Sequence, residues 1–228
     1  MTFDEIIANL PKPYYRDEQA DIAIYCGDSR VLLPQIPEKS IDLVLTDIPF
    51  NVDLAYASYE DNLTDTDYKR MCGEWFSAIK PIAKAYIIKV PTKNTPLVLP
   101  IFSDILGYVW TLIQYSPNAT THGAFNLSLY TQYLVGGELA KRPNVDVLVN
   151  TNNKILKCHP AEMPVVPIRR IIEWFTESTF VIADPFMGSG TFIRACKDTN
   201  RKCVGIDTSE KYCAVAAKRL SQGVMRLQ

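Results

Sequence analysis

The stretch VIADPFMGSGTF, residues 181–192, sets a carboxylate and two glycines where an apolar run ends. Gly188 and Gly190 allow the backbone to come close to a ligand, and N–H groups at the start of a helix favour carboxylate or phosphate groups. The loop is not a Walker sequence, because no GK[ST] follows, and it lacks the full GxGxxG spacing of a dinucleotide site. It predicts a ligand-binding turn of another kind, although a glycine turn taken alone is more often a simple connection.

A second carboxylate, Asp207, ends the next apolar run, CVGID at 203–207. An acid at the end of the second strand is the position that holds the ribose hydroxyls in nucleoside-binding sheets. The plainer alternative is that Asp207 caps the helix that begins with SEKY.

A third acidic residue follows the apolar run IDLVL in the stretch TDIPF, residues 46–50. Here a carboxylate, a proline and an aromatic ring stand together at the end of a predicted strand. Taken alone, the stretch favours a proline turn in which Asp47 accepts backbone N–H groups and Phe50 lies in the core.

The elements that position these stretches alternate between strand and helix at both ends of the chain, which predicts a three-layer α/β fold with a mainly parallel sheet. The predicted strands are residues 21–25, 41–46, 85–90, 108–115, 127–135, 179–184 and 203–207. The predicted helices are 65–83, 97–106, 166–177 and the segments after GSGT and after Thr208, with one or two helical turns at 30–35.

Length and charge limit the possible functions. The 228 residues, of which 47% are apolar, suit one domain spanning 1–228. With 24 basic and 25 acidic side chains the net charge is −1, so nucleic-acid binding has to use local patches.

Cysteine and histidine usage predicts the compartment and argues against a metal site. Six cysteines lack CxxC spacing, the apolar runs are too short to span a bilayer, and no secretory signal is visible. We therefore expect a cytoplasmic protein without a membrane segment. Metal binding is not expected, because His122 and His159 stand outside any ligand cluster.

Four motifs together resemble one family. DPFMGSGTF followed by GIDTSEKYCAVAAKRL closely resembles the S-adenosylmethionine motif of amino-methylating DNA methyltransferases, DPFxGSGTT and then G-[IV]-[DE]. HPAEMP at 159–164 is similar to their HPxxKP segment, TDIPF occupies the place of their catalytic [DNS]PP[YFW], and GDSRVLL resembles their GDxxxxL. The catalytic motif comes first and the cofactor loop last, which is the circularly permuted β-type order of that family.

The resemblance implies a class I methyltransferase fold, with a mainly parallel seven-stranded sheet and helices on both faces. It implies that residues 91–157 hold a substrate-facing or target-recognition segment. The cofactor-binding residues implied for S-adenosylmethionine are Asp28, Ser29, His159, Pro160, Ala161, Glu162, Asp184, Pro185, Phe186, Gly188, Ser189, Gly190, Thr191 and Asp207.

The same resemblance gives these residues roles. Asp207 would hold the ribose hydroxyls of the cofactor, and its methionine part would be surrounded by Asp184, Phe186, Gly188, Gly190 and Thr191. Asp28 and Ser29 would lie near the adenine or the amino end, and residues 159–162 would close the pocket from the other side. Because ligands in open parallel sheets bind outside the carboxyl ends of strands, Asp47 and Asp184 can face one crevice.

The catalytic residues implied are Asp47, Ile48, Pro49 and Phe50. An exocyclic amine is a poor nucleophile because its lone pair is delocalised into the base. The Asp47 carboxylate and the carbonyl of residue 48 could accept both amine hydrogens and direct the lone pair at the sulfonium methyl. Phe50 would stack on a base rotated out of the helix.

The resemblance implies a site-specific methyltransferase that acts on double-stranded DNA, as in restriction-modification systems, and the aspartate at the first motif position resembles the enzymes that act at N6 of adenine in preference to N4 of cytosine. A homodimer is common for this motif order in the family. An RNA methyltransferase is one alternative. A second is a catalytically silent module that binds cofactor or nucleic acid, motivated by Ile48 in place of proline and Met163 in place of lysine.

Overall fold

The structure is a computed structural model that describes residues 1–51, 62–117, 129–150 and 164–222. Within these ranges nine strands form one sheet. The strands are β1 (Tyr15–Asp17), β2 (Ile22–Cys26), β3 (Ile41–Asp47), β4 (Ala83–Val90), β5 (Tyr108–Tyr115), β6 (Tyr130–Gly137), β7 (Val147–Val149), β8 (Val181–Asp184) and β9 (Lys202–Asp207).

Seven α-helices occur in the same described ranges. They are α1 (Phe3–Ile7), α2 (Ser29–Leu32), α3 (Asp65–Ile79), α4 (Thr95–Leu106), α5 (Val165–Phe175), α6 (Thr191–Asp198) and α7 (Glu210–Ser221). Side-chain caps fix several of their starts. The Thr64 hydroxyl accepts from the Asp67 N–H at the start of α3, and the Ser209 hydroxyl accepts from the Tyr212 N–H at the start of α7. No helix within these ranges has the length and apolar character needed to cross a bilayer.

The strand order across the sheet is β1-β2-β9-β8-β3-β4-β6-β5-β7. Strands β2, β9, β8, β3 and β4 run parallel to one another, β6 is antiparallel to its neighbours, and β1 is antiparallel to β2. Strand β3, which carries the N-terminal motif, therefore pairs directly with β8, which leads into the glycine loop. Leu43 lies opposite Ile182 and Val44 opposite Ala183.

The sheet is covered on both faces, because residues along the central strands alternate between two apolar clusters. In β2, Ala23 and Tyr25 belong to the cluster packed against α1, α3 and α4. Ile22 and Ile24 belong to the cluster packed against α5, α6 and α7. This arrangement confirms the predicted three-layer α/β fold with a mainly parallel sheet.

The sheet has nine strands where the sequence predicted seven. The seven predicted strands are β2, β3, β4, β5, β6, β8 and β9, and they form the inner part of the sheet. The additional strands, β1 and β7, lie at the two edges and have three residues each. Strands this short show no periodicity that could predict them.

The segment 91–157 contains elements of the sheet as well as loops. Helix α4 and strands β5, β6 and β7 lie in it and build the edge beyond β4. Residues 118–128 and 151–157 lie outside the described part of the chain, so the prediction of a target-recognition segment there stays a prediction.

Candidate active site

The two motif-bearing strands are joined by a hydrogen bond between Thr46 and Asp184. The Thr46 hydroxyl donates to Asp184 Oδ1 at 2.6 Å, and the Phe186 N–H donates to the same oxygen at 3.2 Å. Asp184 is fully buried, and burial raises its pKa to about 8. The structure therefore places the Asp184 carboxyl beneath the loop, where it connects β8 with β3.

A cavity opens at the carboxyl ends of these strands, and both motifs contribute to its walls. The predicted site residues that line it are Asp28, Ser29, Asp47, Ile48, Pro49, Phe50, Pro185, Phe186, Gly188, Ser189, Thr191 and Asp207. Asp184 and Gly190 are the two predicted and described residues that do not line it. The structure thus brings these residues to one cavity from motifs that lie far apart in the chain.

Asp207 holds the glycine loop against the end of β9. Its Oδ2 accepts the Gly188 N–H at 2.9 Å and its Oδ1 accepts the Ser209 N–H at 2.8 Å. Burial raises the pKa of Asp207, and the two backbone hydrogen bonds act in the opposite direction. The carboxylate keeps further lone pairs that could accept a ligand hydroxyl.

The glycine loop depends on Gly190 for its shape. This residue has a φ of +79°, and a Cβ built on it would lie 2.9 Å from the Cβ of Ala216 in α7. Gly190 therefore allows the loop to turn into α6 while α7 packs directly behind it.

Arg219 of α7 also supports this turn. Its guanidinium donates to the carbonyl of Ser189 at 3.3 Å and to the hydroxyl of Thr191 at 3.0 Å. Ser189 and Thr191 are both buried. The start of α6 is thus fixed from behind before any ligand binds in front of it.

Asp28 and Ser29 bring the end of β2 to the same cavity. Asp28 caps α2 through the Arg30 N–H at 2.8 Å and forms a salt bridge with the Arg30 side chain at 2.8 Å. Hydrogen bonds from that guanidinium lower the pKa of Asp28. The Ser29 hydroxyl donates to the Pro185 carbonyl at 2.5 Å, which ties this strand end to the glycine-loop motif.

Asp47 forms a buried ion pair on the opposite wall. The Lys89 ammonium group, on the adjacent strand β4, lies 2.8 Å from Asp47 Oδ2. The second oxygen, Oδ1, is buried and accepts no hydrogen bond from the described residues. Burial raises the pKa of Asp47, and Lys89 opposes that rise through its charge and its hydrogen bond.

The residues after Asp47 are held through their backbone carbonyls. The Tyr68 hydroxyl donates to the Pro49 carbonyl at 2.9 Å, and the Asn94 amide donates to the Phe50 carbonyl at 2.5 Å. Ile48 is 1% exposed and lines the cavity. Neighbouring side chains thus restrain the backbone around the position where the family pattern has a first proline.

The cavity also has lining residues that the sequence did not identify as part of a site. These are Arg30, Met71, Trp75, Met187, Phe192, Thr208 and Tyr212. Trp75 packs edge-on against Phe186 with ring centroids 5.2 Å apart. Apolar residues at helical spacing predict a core face, and nothing in the sequence separates a core face from a cavity wall. Lys89 did carry a signal, because a lysine within the apolar strand AYIIKV requires a buried partner.

The remaining predicted residues, His159, Pro160, Ala161 and Glu162, lie outside the described part of the chain, as does Met163. Their proposed place on the far side of the pocket stays a prediction. Across the described ranges, no group of three or more His, Cys, Asp or Glu side chains could hold a metal ion.

The arrangement offers different chemistry on its two walls. The wall formed by β2, β9 and the glycine loop presents Asp28 and Asp207 beside backbone N–H groups, which suits a nucleoside with polar substituents. The opposite wall contains Asp47, whose Oδ1 has no partner among the described residues, and the Phe50 ring, a combination that suits a planar group with an N–H donor.

A protein-family model described as a DNA methylase, N6_N4_Mtase, matches residues 101–218, slightly more than half of the chain. The match includes β8, the glycine loop and β9. The curated protein "Type II methyltransferase M.ScaI" of Streptomyces caespitosus is 28% identical over 264 aligned residues. The alignment covers 92% of this chain and 84% of that protein.

Two solved structures share the fold. "PvuII DNA methyltransferase (cytosine-N4-specific)" superposes with a TM-score of 0.78 at 20% identity, covering 95% of this chain and 92% of that one. The "M1.HpyAVI-SAM complex" superposes with a TM-score of 0.67 at 19% identity, covering 88% of this chain and 100% of that one. These likenesses confirm the predicted class I methyltransferase-like fold.

Proposed function

Because this chain belongs to the N6_N4 family of DNA methylases, we propose that it methylates N6 of an adenine rotated out of a specific duplex DNA site. The methyl donor is S-adenosylmethionine. The observation that carries the proposal is Asp47, which lines one cavity together with the glycine loop and whose buried Oδ1 has no partner among the described residues.

The cavity residues fit the donor. Asp207 would accept hydrogen bonds from the ribose hydroxyls, since each of its oxygens has a lone pair beyond the one used by the backbone. Asp28 and Ser29 would lie near the adenine or the amino end, and Phe186, Gly188 and Thr191 near the methionine part. When bound, the donor supplies a methyl group already activated by the positive charge of its sulfonium.

The acceptor wall would prepare the amine. Asp47 Oδ1 accepts one amine hydrogen and the Ile48 carbonyl accepts the other, so the nitrogen lone pair turns out of the base plane toward the methyl group. These acceptors stabilise the positive charge that develops on the nitrogen in the transition state. The Phe50 ring would stack on the base. This stacking would offset the cost of rotating the base out of the helix, which is about a few kcal/mol.

The choice of adenine rests on Asp47, because aspartate at this motif position resembles the adenine enzymes and serine resembles the N4-cytosine enzymes. The PvuII enzyme is described as cytosine-N4-specific, but a similarity at 20% identity supports only the fold and does not identify the target base of this chain. Both bases present an amine next to a ring nitrogen.

A transfer assay tests the proposal. The chain is expressed in a host free of DNA methylation, and the host DNA is sequenced by a method that distinguishes N6-methyladenine from N4-methylcytosine. Labelled S-adenosylmethionine is offered in parallel with duplex DNA and with RNA. We expect label on DNA adenine alone. Label on DNA cytosine would mean that the target base is cytosine and not adenine. Label on RNA alone would mean that the substrate is RNA and not DNA.

Variants connect the result to the site. Asp47→Ala should abolish transfer, while the affinity for S-adenosylmethionine measured by calorimetry stays close to that of the wild type. Asp104→Ala, which removes an exposed carboxylate from α4, is the matched control and should remain active. Cofactor binding by the wild type without transfer to any nucleic acid would instead support a silent binding module.

A further inference from the structure

We propose that Lys89 is a positioning residue for methyl transfer, whose ammonium group keeps the Asp47 carboxylate ionised and turns its Oδ1 toward the incoming amine. The inference rests on the proposed function, because it concerns the residue that would accept the amine. Lys89 acts through Asp47 and Phe50, and nothing in the family motifs of this sequence assigns it a role.

The sheet register brings the two charges together. Asp47 and Lys89 are direct partners on the parallel strands β3 and β4. Their side chains, 15% and 7% exposed, meet at 2.8 Å between Oδ2 and Nζ. Lys89 stands between the buried residues Ile88 and Val90, in a strand that is otherwise apolar at its carboxyl end. A lysine enclosed in this way requires an anionic partner.

The two oxygens of the Asp47 carboxylate have different contacts in this ion pair. Because Lys89 holds Oδ2, the plane of the carboxylate is fixed, and Oδ1 is the oxygen left without a described partner. An acceptor held in place before the substrate arrives needs no reorganisation during the reaction.

The charge of Lys89 also counteracts the effect of burial. Burial raises the pKa of Asp47, and Lys89 lowers it. The other ionisable groups that act on this site from neighbouring described strands are Asp184 of β8 and Tyr133 of β6. With a pKa of about 8, Asp184 is mostly protonated at neutral pH, and burial holds the Tyr133 phenol neutral. Among the described residues, Lys89 is therefore the positive charge that keeps the Asp47 carboxylate ionised and able to accept a hydrogen bond.

Lys89 also contacts the stacking residue. Its Nζ lies 4.6 Å from the centroid of the Phe50 ring. A cation over one face of a ring is attracted by the π electrons and restrains the ring. The opposite face is then the one presented to a base, so a single side chain orients both the acceptor and the stacking platform.

The test compares Lys89→Met with Lys84→Met. Lys84 lies on the same strand and forms a salt bridge with Asp42 at the surface, so the same substitution there removes a charge without touching the site. Lys89→Arg retains the positive charge. For each protein the pH dependence of kcat is measured on duplex DNA, and the Asp47 carboxyl is titrated by NMR with ¹³C-labelled aspartate, its signal assigned from Asp47→Asn.

We expect Lys89→Met to lower kcat about 100-fold near pH 6.5 and to recover most of that loss near pH 9, because the acid limb of the rate profile moves to higher pH. The Asp47 carboxyl signal should titrate at higher pH as well. Lys84→Met should stay within about twofold of the wild type, and Lys89→Arg should keep the wild-type profile.

An unchanged rate profile in Lys89→Met, or a loss of the same size at every pH, would overturn the inference. So would an Asp47 signal that titrates as in the wild type. A wild-type protein that transfers no methyl group contradicts the proposed function instead, and the NMR titration still decides whether Lys89 controls Asp47. A variant that folds poorly is recognised by its melting temperature. In that case the double variant that also carries Asp47→Asn shows whether the unpaired carboxylate is the cause, because its melting temperature should then recover; a melting temperature that stays low would overturn the pairing of Lys89 with Asp47.

Discussion

The Thr46 hydroxyl and the Asp184 carboxyl are hydrogen-bonded at 2.6 Å across 138 positions of sequence. Thr46 immediately precedes the proposed acceptor Asp47, and Asp184 immediately precedes the Pro-Phe pair of the glycine loop. The bond lies between two parallel strands in the centre of the sheet. The two motifs are therefore joined directly by a buried contact, without a loop in between.

Replacing Thr46 by valine should test the strength of this connection. Valine keeps the shape of threonine but leaves the buried Asp184 with the Phe186 N–H as its described partner. We expect the free energy of unfolding to fall by about 1–3 kcal/mol, because a buried polar atom loses a hydrogen bond. Urea unfolding measures the change. Thr46→Ser retains the hydroxyl and should lose less than half as much, and an equal loss in both variants would mean that packing at this position is what matters.

The protonation of Asp184 should make stability depend on pH. Its pKa is raised in the folded protein from 3.8 to about 8, so the folded state binds the proton more tightly than the unfolded state does. The contribution of Asp184 to the free energy of unfolding is fully present below pH 3.8. It is lost as pH rises toward 8, by at most about 1.4 kcal/mol per pH unit. Asp184→Asn cannot titrate, so its stability relative to the wild type should increase from pH 5 to pH 8. The free energy of unfolding of both proteins is measured by urea unfolding at each pH. An equal change with pH in the wild type and in Asp184→Asn would contradict the prediction.

Gly190 should tolerate no side chain. Alanine there would have a φ of +79° and a Cβ 2.9 Å from that of Ala216. We expect a loss of about 1–3 kcal/mol of stability from backbone strain, with weaker cofactor binding because the loop must move away from α7. Gly73→Ala is the control, since nothing lies within 4 Å of a Cβ at that position in α3. It should stabilise the helix by about 0.5–1 kcal/mol. Thermal unfolding and calorimetry with S-adenosylmethionine measure both variants.

Asp207 should contribute to cofactor affinity in two ways, by contacting the ribose and by holding the loop. Asp207→Ala removes the acceptor for both the Gly188 and the Ser209 N–H groups. We expect the binding free energy for S-adenosylmethionine to weaken by about 1.5–3 kcal/mol, the range for hydrogen bonds to a charged group. Asp207→Asn keeps one acceptor oxygen and should lie between. Calorimetry that finds wild-type affinity in Asp207→Ala would exclude the ribose role.

The sequence predicted those parts of the site that follow from local pattern. Strand ends such as Asp47 and Asp207 are visible because an apolar run stops at an acid, and the start of the helix after Thr208 is visible because serine and threonine are preferred at helix N-caps. The glycine loop can be recognised because its glycines allow backbone conformations and close contacts that other residues do not. Each of these signals is contained within about ten neighbouring residues.

The features that the sequence did not predict depend on contacts between distant segments. Whether Trp75 faces the core or a cavity depends on how α3 sits over the sheet, and its helical spacing is the same in both cases. The pairing of Lys89 with Asp47 depends on the β3–β4 register, which no local pattern specifies. The carboxyl of Asp184 was predicted to surround the ligand, but the structure turns it beneath the loop toward Thr46.

The pairing of β2 with β9 has a consequence for how the protein is made. Ile22 lies opposite Cys203 in that pair, and the Ser29 hydroxyl reaches the Pro185 carbonyl across 156 positions. A ribosome releases the early strands long before their partners, so β2 and β3 wait with open edges that other chains could pair with. The cavity is completed only once Thr208 and Tyr212 have emerged as well, and until then a growing chain lacks part of the proposed site. Synthesis itself thus delays the assembly of the cavity, and chaperones that shield strand edges should bind this chain chiefly during that interval.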